Sequence, residues 1–262
     1  MASSTSFLRG PAVLVLWGAV NPQRVDEAAL NAWWTNEHLP ERLAIPGFLQ
    51  MRRYFAADHD PHDGDRSHYL VCYGTAALDT LSSEAYLAVL DHPTAGTKRF
   101  MPLLSSMTRS ACRVLFSTGR TGFAACSQGS VGATILLLAL QTSASQDERE
   151  RLQDWVAREA WSKLTGHPTS TSLALHLLEH DDKVTNVGSS TSLYGQARVP
   201  ESCAGENSGT SRYIVLVEFS EPLTASFGEA EILQAWLIRR LRERGVHTLE
   251  SKRYGLICAV NV

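Results

Sequence analysis

Across its 262 residues the chain lacks most of the short signatures by which a sequence declares its chemistry. No G-x-G-x-x-G, Walker loop, G-x-S-x-G elbow or H-E-x-x-H occurs, which disfavours nucleotide cofactors and a serine nucleophile. No apolar run approaches the ~20 residues of a membrane span, and no polybasic block supplies a phosphate-binding footprint. The densest basic stretch, 239–244, sits where the wet face of an amphipathic helix belongs. Cysteine is scarce: five residues, Cys72, Cys112, Cys126, Cys203 and Cys258, with no C-x-x-C spacing. An odd set inside strand-like runs reads as free thiols in a reducing cytosol. Charged residues make up 19% and the net charge is −3, so a soluble globular chain is expected, without nucleic acid or membrane as partner. Arg9 ahead of the apolar run 11–20 imitates a short signal peptide, but the run has no small-x-small cleavage site and reads as a buried first strand.

What is present is a repeat. At an offset of 122, Trp33 falls on Trp155, Glu37 on Glu159 and Pro46 on Pro168, while His38 falls on Ala160. Periodicity predicts strands over 12–19, 48–56, 68–75 and 109–117 and helices over 26–38 and 78–90. The same order recurs as strands over 132–141, 171–179, 212–219 and 249–260 with helices over 146–164 and 229–244. The fold class is therefore α+β: two tandem ferredoxin-like βαββαβ units whose antiparallel sheets pack into an intramolecular barrel. Burying both open sheet faces would contribute about 25 cal/mol per Å2 of apolar area. The expected boundaries are 1–118 for the first unit, 119–130 for a linker and 131–262 for a second, degenerate unit with a long loop at 181–211. A fused pair can stand alone as a pseudo-dimeric monomer or form a homodimer.

His38 ends the predicted helix on a stripe shared with Leu30 and Trp34, which half-buries it against the sheet. Burial lowers its pKa and a helix C-terminus raises it, a balance suited to a general acid or base. The alternative is a histidine that caps helix-end carbonyls. Along 48–56, alternation sends Arg53 and Phe55 to one face and Arg52 and Tyr54 to the other, and an inward arginine could hold an enolate or phenolate oxygen. Tyr69 and Tyr73 share a face, His92 closes the second helix, and His176 stands at the repeat position of Tyr54. The turn 58–65 and its counterpart 180–182 fail the calcium-loop spacing, so no metal is expected.

The pattern Trp34-x-x-Glu37-His38-x-Pro40, followed by Pro46-Gly47-Phe48 and Arg52-Arg53-Tyr54, resembles the dimeric α+β barrel superfamily and, within it, the EthD-like branch. The superfamily holds cofactor-free cyclases, lactone isomerases, decarboxylases and quinone-forming monooxygenases, together with haem enzymes and members without known activity. The resemblance implies a cofactor-independent enzyme of secondary metabolism acting on an aromatic or polyketide-like, oxygenated apolar molecule. His38, Tyr54 and Arg53 would be catalytic, with Trp34, Arg52, Tyr69, Tyr73, His92 and His176 binding substrate. Cyclase or isomerase chemistry ranks first, decarboxylase next and cofactor-free oxygenase third. A non-catalytic barrel that binds a hydrophobic ligand or serves assembly is the alternative.

Overall fold

A computed structural model describes residues 8–56, 66–104, 106–120, 131–143, 145–166, 170–189, 210–222 and 229–262. The turn 58–65, most of the 119–130 linker, Pro168, Cys126 and Cys203 lie outside these residues. The strands are β1 (Ala12–Val20), β2 (Phe48–Ala56), β3 (Ser67–Thr75), β4 (Thr108–Gly119), β5 (Thr134–Ser143), β6 (Ser172–His180), β7 (Thr210–Phe219) and β8 (His247–Asn261). Taken as hydrogen-bonded neighbours they follow the closed order β1-β3-β2-β8-β5-β7-β6-β4, an antiparallel barrel topology in a mixed α/β chain. The described residues fall into two compact units. The first draws on 9–113, 181–189 and 257–262, the second on Leu8, 114–180 and 210–256, and β4 and β8 each run through both.

In the first unit β1 pairs with both β3 and β4, and β3 pairs in turn with β2. One face of this sheet carries Leu14, Met51, Tyr69, Val71, Tyr73 and Ala111, packed against helices. Those helices are α1 (Glu27–Trp33), a π-helical turn at Trp34–His38, α2 (Leu39–Leu43), α3 (Glu84–Asp91) and α4 (Ala95–Phe100). Asp26 caps α1 by accepting from Ala29 N–H at 3.0 Å, satisfying one of the donors a helix start leaves free. Ser83 and Thr94 do the same for α3 and α4. Gly47 precedes β2 with φ +92°, a conformation that costs a side-chain-bearing residue energy, and its missing Cβ would sit 2.9 Å from Thr80.

The helix expected to end at His38 does not stop there. Leu39 N–H bonds to Trp34 O, five residues back, and the widened turn carries the chain on through Pro40 to Leu43. Pro40 has no N–H to donate, so the continuing helix goes without one backbone hydrogen bond at that position. Proline is not the cause of the widening. An equivalent π turn occurs at Val156–Ala160, where Ser162 takes the proline's place.

The second unit repeats the order with β5, β6 and β7, α5 (Gln146–Trp155), α6 (Trp161–Thr165) and α8 (Glu229–Arg242), and leucines fill its core. The stretch 181–211, expected to be a loop, begins with a helix, α7 (Asp182–Ser189), that belongs to the first unit. Its N-terminus is tied down by Asp181, whose carboxylate accepts from Val184 N–H at 3.0 Å. Among the described residues no helix is long and apolar enough to cross a membrane.

Candidate functional site

His38 is 6% exposed, which removes most of the hydration a cationic imidazole needs. Its ring lies 4.8 Å from that of Trp33, which in turn stacks on Phe100 of α4 at 5.1 Å. Burial first, and then the Arg42 guanidinium four residues on, holds the imidazole well below its ordinary pKa. The raising influence expected from a helix end is missing because the helix continues. His38 is therefore neutral at neutral pH.

A neutral imidazole has one donor and one acceptor nitrogen, and the surroundings choose which is which. Nδ1 lies 3.5 Å from Thr97 Oγ1 and 3.7 Å from a Glu41 carboxylate oxygen. Burial pushes the Glu41 carboxyl up, against the lowering influence of Arg42. A proton on Nδ1 suits the nearby Glu41 carboxylate, which can only accept, and leaves the lone pair on Nε2. That is the arrangement of a base. Thr97 reaches the histidine because Gly96 lets α4 approach α1: a Cβ there would lie 2.4 Å from Trp33 Cδ1 and 2.5 Å from Glu37 Oε1. Glu37 itself is exposed and accepts from Thr94 Oγ1 at 2.6 Å, so it pairs the two helices.

Within the first unit, His38 walls a cavity of about 40 Å3 between the sheet and its helices. Leu14, Leu16 and Val71 form an apolar floor, Met101, Leu104 and Met107 one side, and Trp34, Tyr73 and Tyr86 aromatic walls. Two guanidinium groups, Arg42 and Arg109, also line it. Arg42 stands 5.9 Å from the Tyr86 ring centre. Arg109 donates to the Thr185 carbonyl of α7 and, at 3.5 Å, to Tyr86 Oη. The cavity can stabilise an anion formed on an apolar molecule, because its cationic groups are fixed and partly shielded from water. A water needs roughly 10–15 Å3, so the space as it stands holds about three waters, and a ring system enters only by displacing side chains that line it. A larger open groove of about 870 Å3 runs beside α5, but Asp147, Glu150, Arg151, Asp154 and Arg158 make its wall a solvated helix face.

The expected site residues scatter. His38, Trp34 and Tyr73 meet at the cavity. Tyr69 lies beside it, 5.5 Å from Trp34 ring to ring, and burial pushes its phenol up. Arg53 shares the helix side of β2 but is used as a clamp. It lies 4.5 Å from the Trp34 ring centre, donates to Thr35 Oγ1 at 3.1 Å and bonds Asn31 Oδ1. Arg52 and Tyr54 are fully buried on the opposite face of β2, away from His38. His92 is exposed, with Nδ1 3.0 Å from the Ala88 carbonyl at the end of α3, which makes it a helix cap. His176 belongs to the second unit. Arg42, Thr97 and Arg109 were not foreseen. Arg42 repeats the His38 stripe four residues on, and Arg109 is a charge opening an apolar strand, so both left a faint signal; Thr97 left only the Thr94-x-x-Thr97 capping pair.

No protein-family model and no curated protein matches the chain. Among solved structures, an anthrone oxidase-like protein matches over 98% of this chain and 95% of its own, at 10% identity and a TM-score of 0.58. The likeness is one of fold. That neighbour belongs to the dimeric α+β barrel superfamily, and a protein provisionally assigned as a monooxygenase from Fusobacterium nucleatum subsp. nucleatum matches at 9% identity over 97% of this chain and 96% of its own, with a TM-score of 0.47. A similarly assigned protein from Lactobacillus acidophilus matches at 8% identity over 96% of each chain, with a TM-score of 0.47.

Proposed function

We propose that the first unit holds an active site in which neutral His38 removes a proton from an acidic carbon or phenol of an aromatic or polyketide-like molecule. The observation that carries this is a buried, neutral imidazole whose two polar contacts both fall on Nδ1, in the wall of an apolar cavity lined by Arg42 and Arg109. His38 Nε2 takes the proton, and the guanidinium groups face the resulting enolate or phenolate. Thr97 and Glu41 are positioning residues that fix the tautomer. No step calls for a cofactor.

Several outcomes share this anion: ring closure, isomerisation and attack on dioxygen. Oxygenation is the first choice among them, since the anthrone oxidase-like protein shares the fold. An anthrone is a tricyclic ketone with an acidic ring methylene. Its carbanion passes an electron to dioxygen, the radical pair joins as a carbon hydroperoxide, and loss of water leaves the quinone carbonyl; anthrone plus dioxygen gives anthraquinone plus water. Cyclase or isomerase and decarboxylase chemistry stand behind it. We further take the two halves as tandem ferredoxin-like units, 1–118 and 131–262, with an EthD-like histidine motif in the first and a cytoplasmic setting. The recurring element order and the π turns 122 residues apart support that view.

A second reading has its own support. Pockets for drug-sized ligands span about 300–1,000 Å3, and this cavity is far smaller, as a non-catalytic barrel filled by side chains would be. Oxygen uptake with anthrone as the probe separates the two. An enzyme consumes dioxygen and forms quinone absorbance, and His38→Gln slows turnover by about 10²–10⁴-fold with the fold intact. Unchanged turnover in a folded His38→Gln would sink the mechanism. Tryptophan quenching without turnover would favour the binding module.

A further inference from the structure

The second unit contains a relay that the His38 site does not use. Ser117 on β4, His176 on β6 and Glu218 on β7 form a chain of hydrogen bonds. Ser117 Oγ lies 2.8 Å from His176 Nδ1, and His176 Nε2 lies 3.1 Å from Glu218 Oε1. The other carboxylate oxygen accepts from Gly132 N–H at 2.7 Å. The sheet register explains the meeting: Ala174 pairs with Glu218 and His176 with Leu216, so His176 and Glu218 project from one face as diagonal neighbours. His176 and Glu218 are fully buried, while Ser117 at the end of the relay is partly exposed.

The protons can be placed from the partners. A carboxylate only accepts, so Nε2 carries the hydrogen donated to Glu218, and Nδ1 is left with the lone pair. Ser117 then donates to Nδ1. This is the hydroxyl, imidazole and carboxylate sequence that activates a serine: the base is in contact with the nucleophile and the acid holds the base in the required tautomer. It was invisible to motif reading because the three residues come from three strands and not from a G-x-S-x-G elbow.

We propose that Ser117 is an activated nucleophile toward small, uncharged esters, with His176 as its general base and Glu218 as the positioning residue. Ser117 Oγ attacks the acyl carbon as its proton passes to His176 Nδ1. The bond to the leaving oxygen breaks, and His176 returns the proton to the departing alkoxide. Water then reverses the sequence, so ester plus water gives acid plus alcohol. The buried Glu218 carboxylate disfavours anionic substrates. This activity lies in the second unit and stands or falls separately from the role of His38.

Diisopropyl fluorophosphate is the probe, read by intact mass and peptide mapping of the full chain. Its phosphorus joins Ser117 Oγ as fluoride leaves. Stoichiometric labelling on the Ser117 peptide is expected, lost in Ser117→Ala and slowed about 100-fold or more in His176→Gln. Because His176 is buried and its variant could fail to fold, labelling of the wild-type chain in urea gives an independent reading, and the same serine released from the relay should lose its reactivity. No adduct on Ser117 in folded protein, equally fast labelling of the chain in urea, or full-rate labelling in folded His176→Gln would each overturn the proposal.

Discussion

Neutral His38 has a measurable thermodynamic consequence. In the unfolded chain a histidine titrates near pH 6.5; in the folded protein burial and Arg42 hold it well below that value. The native state therefore binds fewer protons than the unfolded state once pH drops below about 6.5. Its contribution to stability is complete above that pH and is lost as pH falls toward the folded pKa, at a limiting slope of about 1.4 kcal/mol per pH unit for one proton. Urea unfolding followed by tryptophan fluorescence, from about pH 8 to about pH 5, would read it. The comparison is with His38→Gln, which keeps a polar side chain but cannot titrate. Its constant offset is irrelevant; the difference in slope is the signal. Wild type should lose stability on acidification faster than the variant, approaching the limiting slope. Arg42→Met, which removes the second cause of the shift, should level off at a higher pH. Parallel wild-type and His38→Gln profiles below pH 6.5 would refute the neutral-base argument without any substrate.

Two further predictions concern the scaffold. Gly96→Ala places a Cβ 2.4 Å from Trp33 and forces α4 away from α1. Overpacking of about 1–3 kcal/mol should outweigh the roughly 1 kcal/mol of helix propensity that alanine adds, lowering the unfolding midpoint. Arg53→Met keeps the stem but removes the bonds to Asn31 and Thr35, and should cost about 2–3 kcal/mol by the same assay. The pH slope assigned to His38 should survive in Arg53→Met, since Arg53 is not among the causes of its pKa shift.

Strand β2 shows what was legible locally. Its bounds, Phe48–Ala56, agree with the alternation of the sequence, because a Pro-Gly turn starts it and a polar stretch follows it. Helix α4 shows the opposite. Ala95-Gly96-Thr97-Lys98-Arg99-Phe100 is too short and too polar to show an apolar period, and it holds its place through Phe100 on Trp33 and the space left by Gly96. Proline at position 40 suggested a stop, yet the π turn before it let the helix run on.

By itself the sequence determined the order of the eight strands and of the longer helices, the lack of a histidine at the 122-residue offset from His38, and the two arginine faces of β2, since all of these follow from period, offset and alternation. Only the tertiary structure decided which face of β2 looks toward the helices, that Arg53 bonds Asn31 and Thr35, that Thr97 and Glu41 lie beside His38 Nδ1, and that Ser117, His176 and Glu218 meet. Those meetings join residues as far as 101 positions apart along the chain, from 117 to 218. They depend on register and on side-chain direction, which no local pattern encodes.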